Sequence, residues 1–286
     1  MGKIKRGWAL SKKSWGLLNE HRELLRFPLY GAVATIPLAL VFVGPGLYLL
    51  DDGTLAGAIP LLVIGLYVLS VVGTFFGVGL AAAADMIFRG EQATVSDGLA
   101  VARSRINQIC GWAALSTAIG VVMGALENQG GIAGTIAARV VGMAWSLVTF
   151  IAVPVIAIEG TGALATLKRS ASLFRERWGQ QITGNLAIGG AVTLLGVLPS
   201  ALLIAVGVVV WASASFIGAL FVVVGAIGLA ISMLVANALN GIFGVALYRY
   251  ALDGQALGGF TPAELESAVK AKGGRNAPPT ATPGTV

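Results

Sequence analysis

Charge is scarce in this sequence. Only 11% of its 286 residues are Asp, Glu, Lys or Arg, against roughly 25% in a soluble domain that must face water on all sides. A buried core alone does not explain so large a deficit. Cysteine and histidine are scarcer still. With Cys110 alone, no intramolecular disulfide can form. With His21 alone, the Cys/His clusters of structural zinc sites are excluded. A Ser-His-Asp or Cys-His triad would have to recruit His21, which stands among charged residues ahead of the first long apolar run and reads as a solvated surface histidine. No G-x-x-x-x-G-K-[ST] motif occurs, and no G-x-G-x-x-G lies between a strand and a helix. Paired acid and base groups are also missing. These absences argue for a non-enzymatic chain without cofactor or metal.

Apolar sequence fills the space instead. Hydrophobic residues make up 56% of the chain and the mean hydropathy is +0.85. Apolar runs beyond about 18 residues recur, which is the signature of membrane-spanning helices. Six are expected: Leu29–Leu50, Leu55–Phe88, Ile109–Leu126, Val140–Ile158, Leu186–Trp211 and Phe216–Leu252. The 40 glycines fit this picture, because small residues let helices approach closely in lipid. Two of the runs are overlong. Leu55–Phe88 as one helix would reach about 50 Å, against a hydrocarbon core of about 30 Å. Glycines at 73, 77 and 79, and at 225, 228, 241 and 244, mark positions where such helices can bend.

The basic residues assign an orientation. Of 19 Lys and Arg, all but Arg139 fall on one side of the six runs, which the positive-inside rule makes cytoplasmic. Both termini are then cytoplasmic and the chain sits in the cell membrane. A cleaved signal peptide fits poorly, since the basic segment is long and no Ala-x-Ala-like site precedes Asp51. This divides the chain into a basic amphipathic segment (1–28), an all-α transmembrane bundle (29–252) and a cytoplasmic tail (253–286). In the tail, Thr261-Pro262-Ala263-Glu264 opens a short helix to about Lys272, ahead of a disordered Gly273–Val286.

The six runs pair into three hairpins about 77–80 residues apart. Each is preceded by a basic amphipathic stretch suited to the headgroup region: around Leu10, Leu17 and Leu24; on Val95, Leu99, Ala102 and Ile106; and on Leu164, Leu167, Ala171, Phe174 and Trp178. The chain leaving each even-numbered run is also alike, at Glu91-Gln92, Glu159-Gly160 and Asp253-Gly254.

Ionisable and polar groups inside the runs are the candidate sites. Asp85 stands four residues before Arg89, the spacing of a helical ion pair. Asn237 and Asn240, beside Gly241 and Gly244, are placed either to bond between helices or to mark a broken helix that exposes backbone to a solute. Arg249, between Tyr248 and Tyr250, reads as a residue snorkelling from an aromatic belt, and Glu127 and Glu159 as solvated span ends. The pairs Gly73-xxx-Gly77 and Gly120-xxx-Gly124 read as packing faces within the chain. Lys168, Arg169, Arg175 and Arg177 are the candidate contacts to anionic phospholipid.

Several short motifs carry a family likeness. Ser14-Trp15 with Leu18, Glu23-Leu24, Phe27-Pro28, Trp112, Pro154, Lys168-Arg169-Ser170 and Trp178-Gly179 together resemble a domain-of-unknown-function family of bacterial and archaeal integral membrane proteins, over most of residues 8–250. The resemblance implies a six-helix membrane fold and no assigned activity. The helices preceding each hairpin also resemble those of membrane domains attached to some glycerophosphodiesterases, without any hydrolase domain here. The expected role is organisation of lipid or recruitment of a protein partner at the bilayer, with no nucleic-acid partner. A transporter or permease subunit for a small solute is the alternative.

Overall fold

The computed structural model describes residues 15–16, 18–129, 131–178, 196–211, 215–262 and 265, and among them the regular structure is entirely helical. A 3-10 turn at Arg22–Leu25 leads into α1 (Arg26–Asp51). There follow α2 (Leu55–Phe88), α3 (Val95–Ser104), α4 (Ile106–Gln129), α5 (Gly131–Glu159), α6 (Ala163–Trp178), α7 (Leu198–Trp211) and α8 (Ser215–Asp253). Among the described residues, four stretches are long and apolar enough to cross a membrane: Arg22–Asp51, Leu55–Phe88, Ile106–Glu127 and Ser215–Asp253. A fifth arises if Val148–Glu159 and Ala163–Glu176, which meet at 117°, count as one broken span. The expected Leu186–Trp211 run is described only from residue 196 onward. The tail beyond Leu265 and Leu10 lie outside the described residues.

The overlong helices are not interrupted at their glycines. Both α2 and α8 run unbroken through 34 and 39 residues. The glycines serve close approach instead. A Cβ on Gly98 of α3 would lie 2.5 Å from the Gly79 carbonyl of α2 and 2.6 Å from Cζ of Phe27, so three elements cross where there is no room for a methyl group. Along α7 and α8, Gly207 faces Gly218, and Gly225 and Gly228 face Ser200, a seam of small residues that brings two backbones together. On α1 and α2 the pattern is a knob against a gap, with Leu62 at Gly46 and Phe42 at Gly65. By contrast Gly73, Gly120 and Gly124 meet nothing within 4 Å among the described residues, so the expected Gly120-xxx-Gly124 packing face is not used there.

Burial is uneven along the long helices. In α2 the continuous buried stretch is Val78 to Asp85, and in α8 it gathers between Ala238 and Ala251. The earlier parts of both helices carry exposed Leu, Ile, Val and Phe side chains. In α5 the buried residues Ile151, Ala152, Val155 and Ile156 likewise lie in the C-terminal third. These C-terminal thirds contribute to one core with Leu18 and Leu24 of the N-terminal segment, Phe27 of α1, Ala102 of α3 and Trp112 of α4. A second cluster joins Leu173 and Phe174 of α6 to Phe243, Tyr248, Phe260 and Leu265. Helices α2, α5 and α8 all end at a glycine with positive φ (Gly90, Gly160, Gly254), the left-handed stop that a Cβ disfavours.

Thr94 caps α3 in a reciprocal capping box: the Asp97 amide donates to Thr94 Oγ1 at 3.3 Å and the Thr94 amide donates to Asp97 Oδ2 at 2.9 Å. The Thr-x-x-Asp spacing is a legible start signal that hydrophobic periodicity alone overlooks. Of the expected stripe on α3, Val95, Leu99 and Ala102 do face the core, whereas Ile106 is exposed and begins α4. On α6, Leu167 and Phe174 of the expected stripe do pack against the core, but the fully buried face is rotated slightly from it. It consists of Thr166, Ser170, Leu173 and Phe174, while Leu164 and Ala171 are exposed. Small hydroxyl residues fit the tight contact with the core, and the larger Leu164 is left outside.

Candidate functional site

The polar residues converge at the end where α2, α5 and α8 are buried. Asp85 is in the last turn of α2 and its side chain is only 6% exposed. The expected neighbour Arg89 approaches it, Nε 3.4 Å from Oδ2, but Arg89 also pairs with Glu91 at 2.8 Å and is half exposed. The stronger partner comes from α8. Arg249 Nε donates to Asp85 Oδ1 at 2.7 Å and Nη2 donates to Oδ2 at 2.8 Å, the two-pronged geometry of a strong guanidinium–carboxylate pair. Arg249 therefore does not snorkel from an aromatic belt. It is satisfied inside the protein, because a carboxylate 164 positions away is turned toward it.

The preceding residue makes the matching bond on the other side. Tyr248 Oη donates to Glu159 Oε1 at 2.9 Å, joining α8 to the end of α5. Arg169 of α6 donates through Nε to the same carboxylate, at 2.9 and 3.2 Å. Glu159 is thus a bonded junction of three helices, not a solvated span end. Consecutive residues of α8 reach opposite neighbours because they point about 100° apart around a helix of 3.6 residues per turn. Nearby, Gly160 carries the Arg105 guanidinium against its α-carbon, and its carbonyl accepts from Gln108 Nε2 at 3.3 Å. Arg105 is turned inward, so it does not belong to a free basic face.

The other candidates stand apart. Asn237 is exposed and Asn240 half-buried on an unbroken α8, so the helix offers no opened backbone there. They lie 12 and 9 residues before Arg249, roughly 18 and 14 Å along the axis. Asn237 and Asn240 therefore do not join Asp85 in one site. Glu127 is exposed, as expected. Of the lipid-contact candidates, Lys168 and Arg175 are exposed, Arg169 is held by Glu159, and the Arg177 side chain lies outside the described residues. The exposed charges of α3 are Asp97 and Arg103, which offset each other. Thr94, donating to the Asp97 carboxylate from its hydroxyl and its amide, holds that carboxyl below the usual carboxylate range.

Among the described residues, no group of three or more His, Cys, Asp or Glu is placed to hold a metal ion. Chemically the polar cluster is a set of ion pairs and one phenol bond tying α2, α5, α6 and α8. Asp85, Arg89, Arg249 and Glu91 balance in charge, as do Glu159 and Arg169. No curated protein matches the chain. A family model does match it over residues 56–259, covering α2 to the end of α8 and the turn beyond, and the chain belongs to that family of unknown function (DUF6159).

Proposed function

We propose that the protein is a six-span membrane protein of three hairpins, with cytoplasmic termini, whose bundle carries a compact helical base on the cytoplasmic face and binds anionic phospholipid there. The observation that carries this reading is the place of burial along the overlong helices. A hydrocarbon core of about 30 Å takes up roughly 20 residues of helix. Counted from Leu55 and Ser215, that length ends near residues 75 and 235. The buried stretches begin just beyond, at Val78 and Ala238. Within hydrocarbon, apolar side chains lose nothing by facing lipid. Beyond it water is the solvent, and the same side chains must be covered by protein.

The surplus length of α2 and α8 then has a use. It builds a water-facing base, roofed by α3, α6 and the N-terminal turn, and cross-tied by Asp85–Arg249 and Tyr248–Glu159. Lys168 and Arg175 stand seven residues apart on the exposed face of α6, and juxtamembrane cations of this kind attract anionic lipid by about 1 kcal/mol each. The transport reading has less support, since the polar residues it needs are mutually satisfied or separated along α8.

Two measurements test the proposal. Native mass spectrometry of the protein from anionic nanodiscs is expected to show retained anionic lipid, reduced in the Lys168→Gln, Arg175→Gln double variant, with Arg169 left intact to preserve the Glu159 junction. Unchanged lipid retention counts against the lipid role. Single cysteines placed at Arg103 and Glu176 in a Cys110→Ala background should react with an impermeant thiol reagent only from the cytoplasmic side, and one at Asp52 only from the opposite side. The reverse pattern overturns the orientation.

A further inference from the structure

An apolar groove of about 460 Å³ runs between α4 and α5, within the size range of small-molecule sites. Ala118, Val122 and Met123 wall it from α4, and Val141, Trp145 and Val148 from α5. Val122 and Val141 are exposed, so the groove opens sideways, away from the core. Its far wall is rigid: the Trp145 ring stacks on the buried Trp112, with centroids 5.7 Å apart and planes 10° from parallel. Its width depends on Gly142, where a Cβ would come within 2.8 Å of Met123 Cε.

We infer that this groove seats one acyl chain of a phospholipid from the cytoplasmic leaflet. The inference rests on the membrane placement proposed above. With the α5 end at Glu159 level with Asp85, Val148 and Val141 lie 11 and 18 residues above the base, about 17 and 27 Å along the helix. The hydrocarbon boundary, near residue 75 of α2, is about 15 Å above Asp85 on the same scale. The groove then occupies roughly the first 12 Å of hydrocarbon, the depth one leaflet's tail reaches in a core of about 30 Å. Water is a poor occupant, because a buried water needs two to four polar partners and, apart from the Trp145 indole N–H, these six side chains offer no strong hydrogen-bonding group. Charge supplies the other end of the ligand: α5 descends from the groove into the turn before α6, whose Lys168 and Arg175 are exposed toward a headgroup. Moving a tail from bulk lipid into the groove gains no hydrophobic transfer energy. Its preference comes from dispersion contact with walls on two sides, and a modest enrichment is expected.

The test uses the full chain in nanodiscs with phospholipid bearing a photoreactive diazirine in its tail, presented with either an anionic or a zwitterionic headgroup. After irradiation, mass spectrometry is expected to place label on Val122, Met123 and Trp145 about threefold or more above Ile231, an exposed control on α8 at the same depth. Val122→Trp, which fills the groove from an exposed position, should remove the excess without changing labelling at Ile231. Equal labelling at groove and control, or an excess that survives Val122→Trp, overturns the inference and leaves ordinary boundary lipid. Crosslinks from a second copy of the chain in the groove overturn it too. Groove labelling without preference for the anionic headgroup upholds the acyl-chain site while refuting the anionic-lipid role of α6.

Discussion

Asp85 and Arg249 illustrate how much a single contact can concentrate. Both side chains are largely withdrawn from solvent, and each satisfies the other through two hydrogen bonds. Removing one partner from such a pair typically costs about 3–5 kcal/mol, because the survivor is left charged and unpaired. Arg249→Ala should therefore lower the thermal midpoint more than Arg89→Ala, whose guanidinium is half exposed. In a double-mutant cycle, Asp85→Ala with Arg249→Ala should destabilise by much less than the sum of the two, read by circular dichroism in detergent; additive effects would show the pair contributes no coupling. Asp97 gives a prediction of the opposite kind, at the surface. Its carboxyl is held low by bonds from Thr94, so it contributes stability that is present above its unfolded value near 3.8 and lost as pH falls through its folded value. The stability gap between the natural chain and Asp97→Asn should shrink on acidification through that window, and a gap independent of pH would refute the capping role.

The glycine positions on the helices differ sharply, and the difference is measurable. Gly98 packs its α-carbon against the backbone of Gly79 and the ring of Phe27, where neither neighbour can give way cheaply. Gly98→Ala is expected to destabilise by about 1–3 kcal/mol, the usual cost of overpacking. Gly124 meets nothing within 4 Å among the described residues, and alanine is favoured over glycine inside a helix by nearly 1 kcal/mol, so Gly124→Ala should be neutral or stabilising. Unfolding temperatures of the two variants that move together would contradict this assignment of roles. Within α6, hydropathy placed the apolar stripe one step away from the true buried face, because Thr166 and Ser170 are polar by type yet small enough to pack closely.

At the scale of the molecule, the chain after α8 folds back under the base. Phe260 packs against Phe243 with centroids 5.6 Å apart, Gly258 lies against Phe88, and Leu265 is fully buried. A core phenylalanine reduced to alanine typically costs about 3–5 kcal/mol. Phe260→Ala should accordingly lower the unfolding midpoint substantially, and Phe216→Ala, which removes an exposed ring at the far end of α8, should leave it nearly unchanged. Equal effects would mean that residues 254–262 and Leu265 are not part of the base.

The helical class, the starts and stops of α2 and α8 and the apolar character of the spans were all determined by the sequence itself. Hydropathy over 20 or more residues and a glycine stop are local properties, and local properties survive any arrangement of the helices. The expected Asp85–Arg89 contact was legible for the same reason, since both groups lie one turn apart on one helix. Tertiary structure alone decided that Arg249 outranks Arg89 as the partner of Asp85, that Glu159 joins three helices, and that Asn237 and Asn240 remain apart from both. Those outcomes depend on which faces of α2, α5, α6 and α8 meet, across 89 residues for Tyr248–Glu159 and 164 for Asp85–Arg249, and no spacing in the sequence encodes that. The overlong runs stand between the two cases. Their length is written in the sequence, but only the burial pattern distinguishes the part covered by protein from the part left with its apolar side chains exposed.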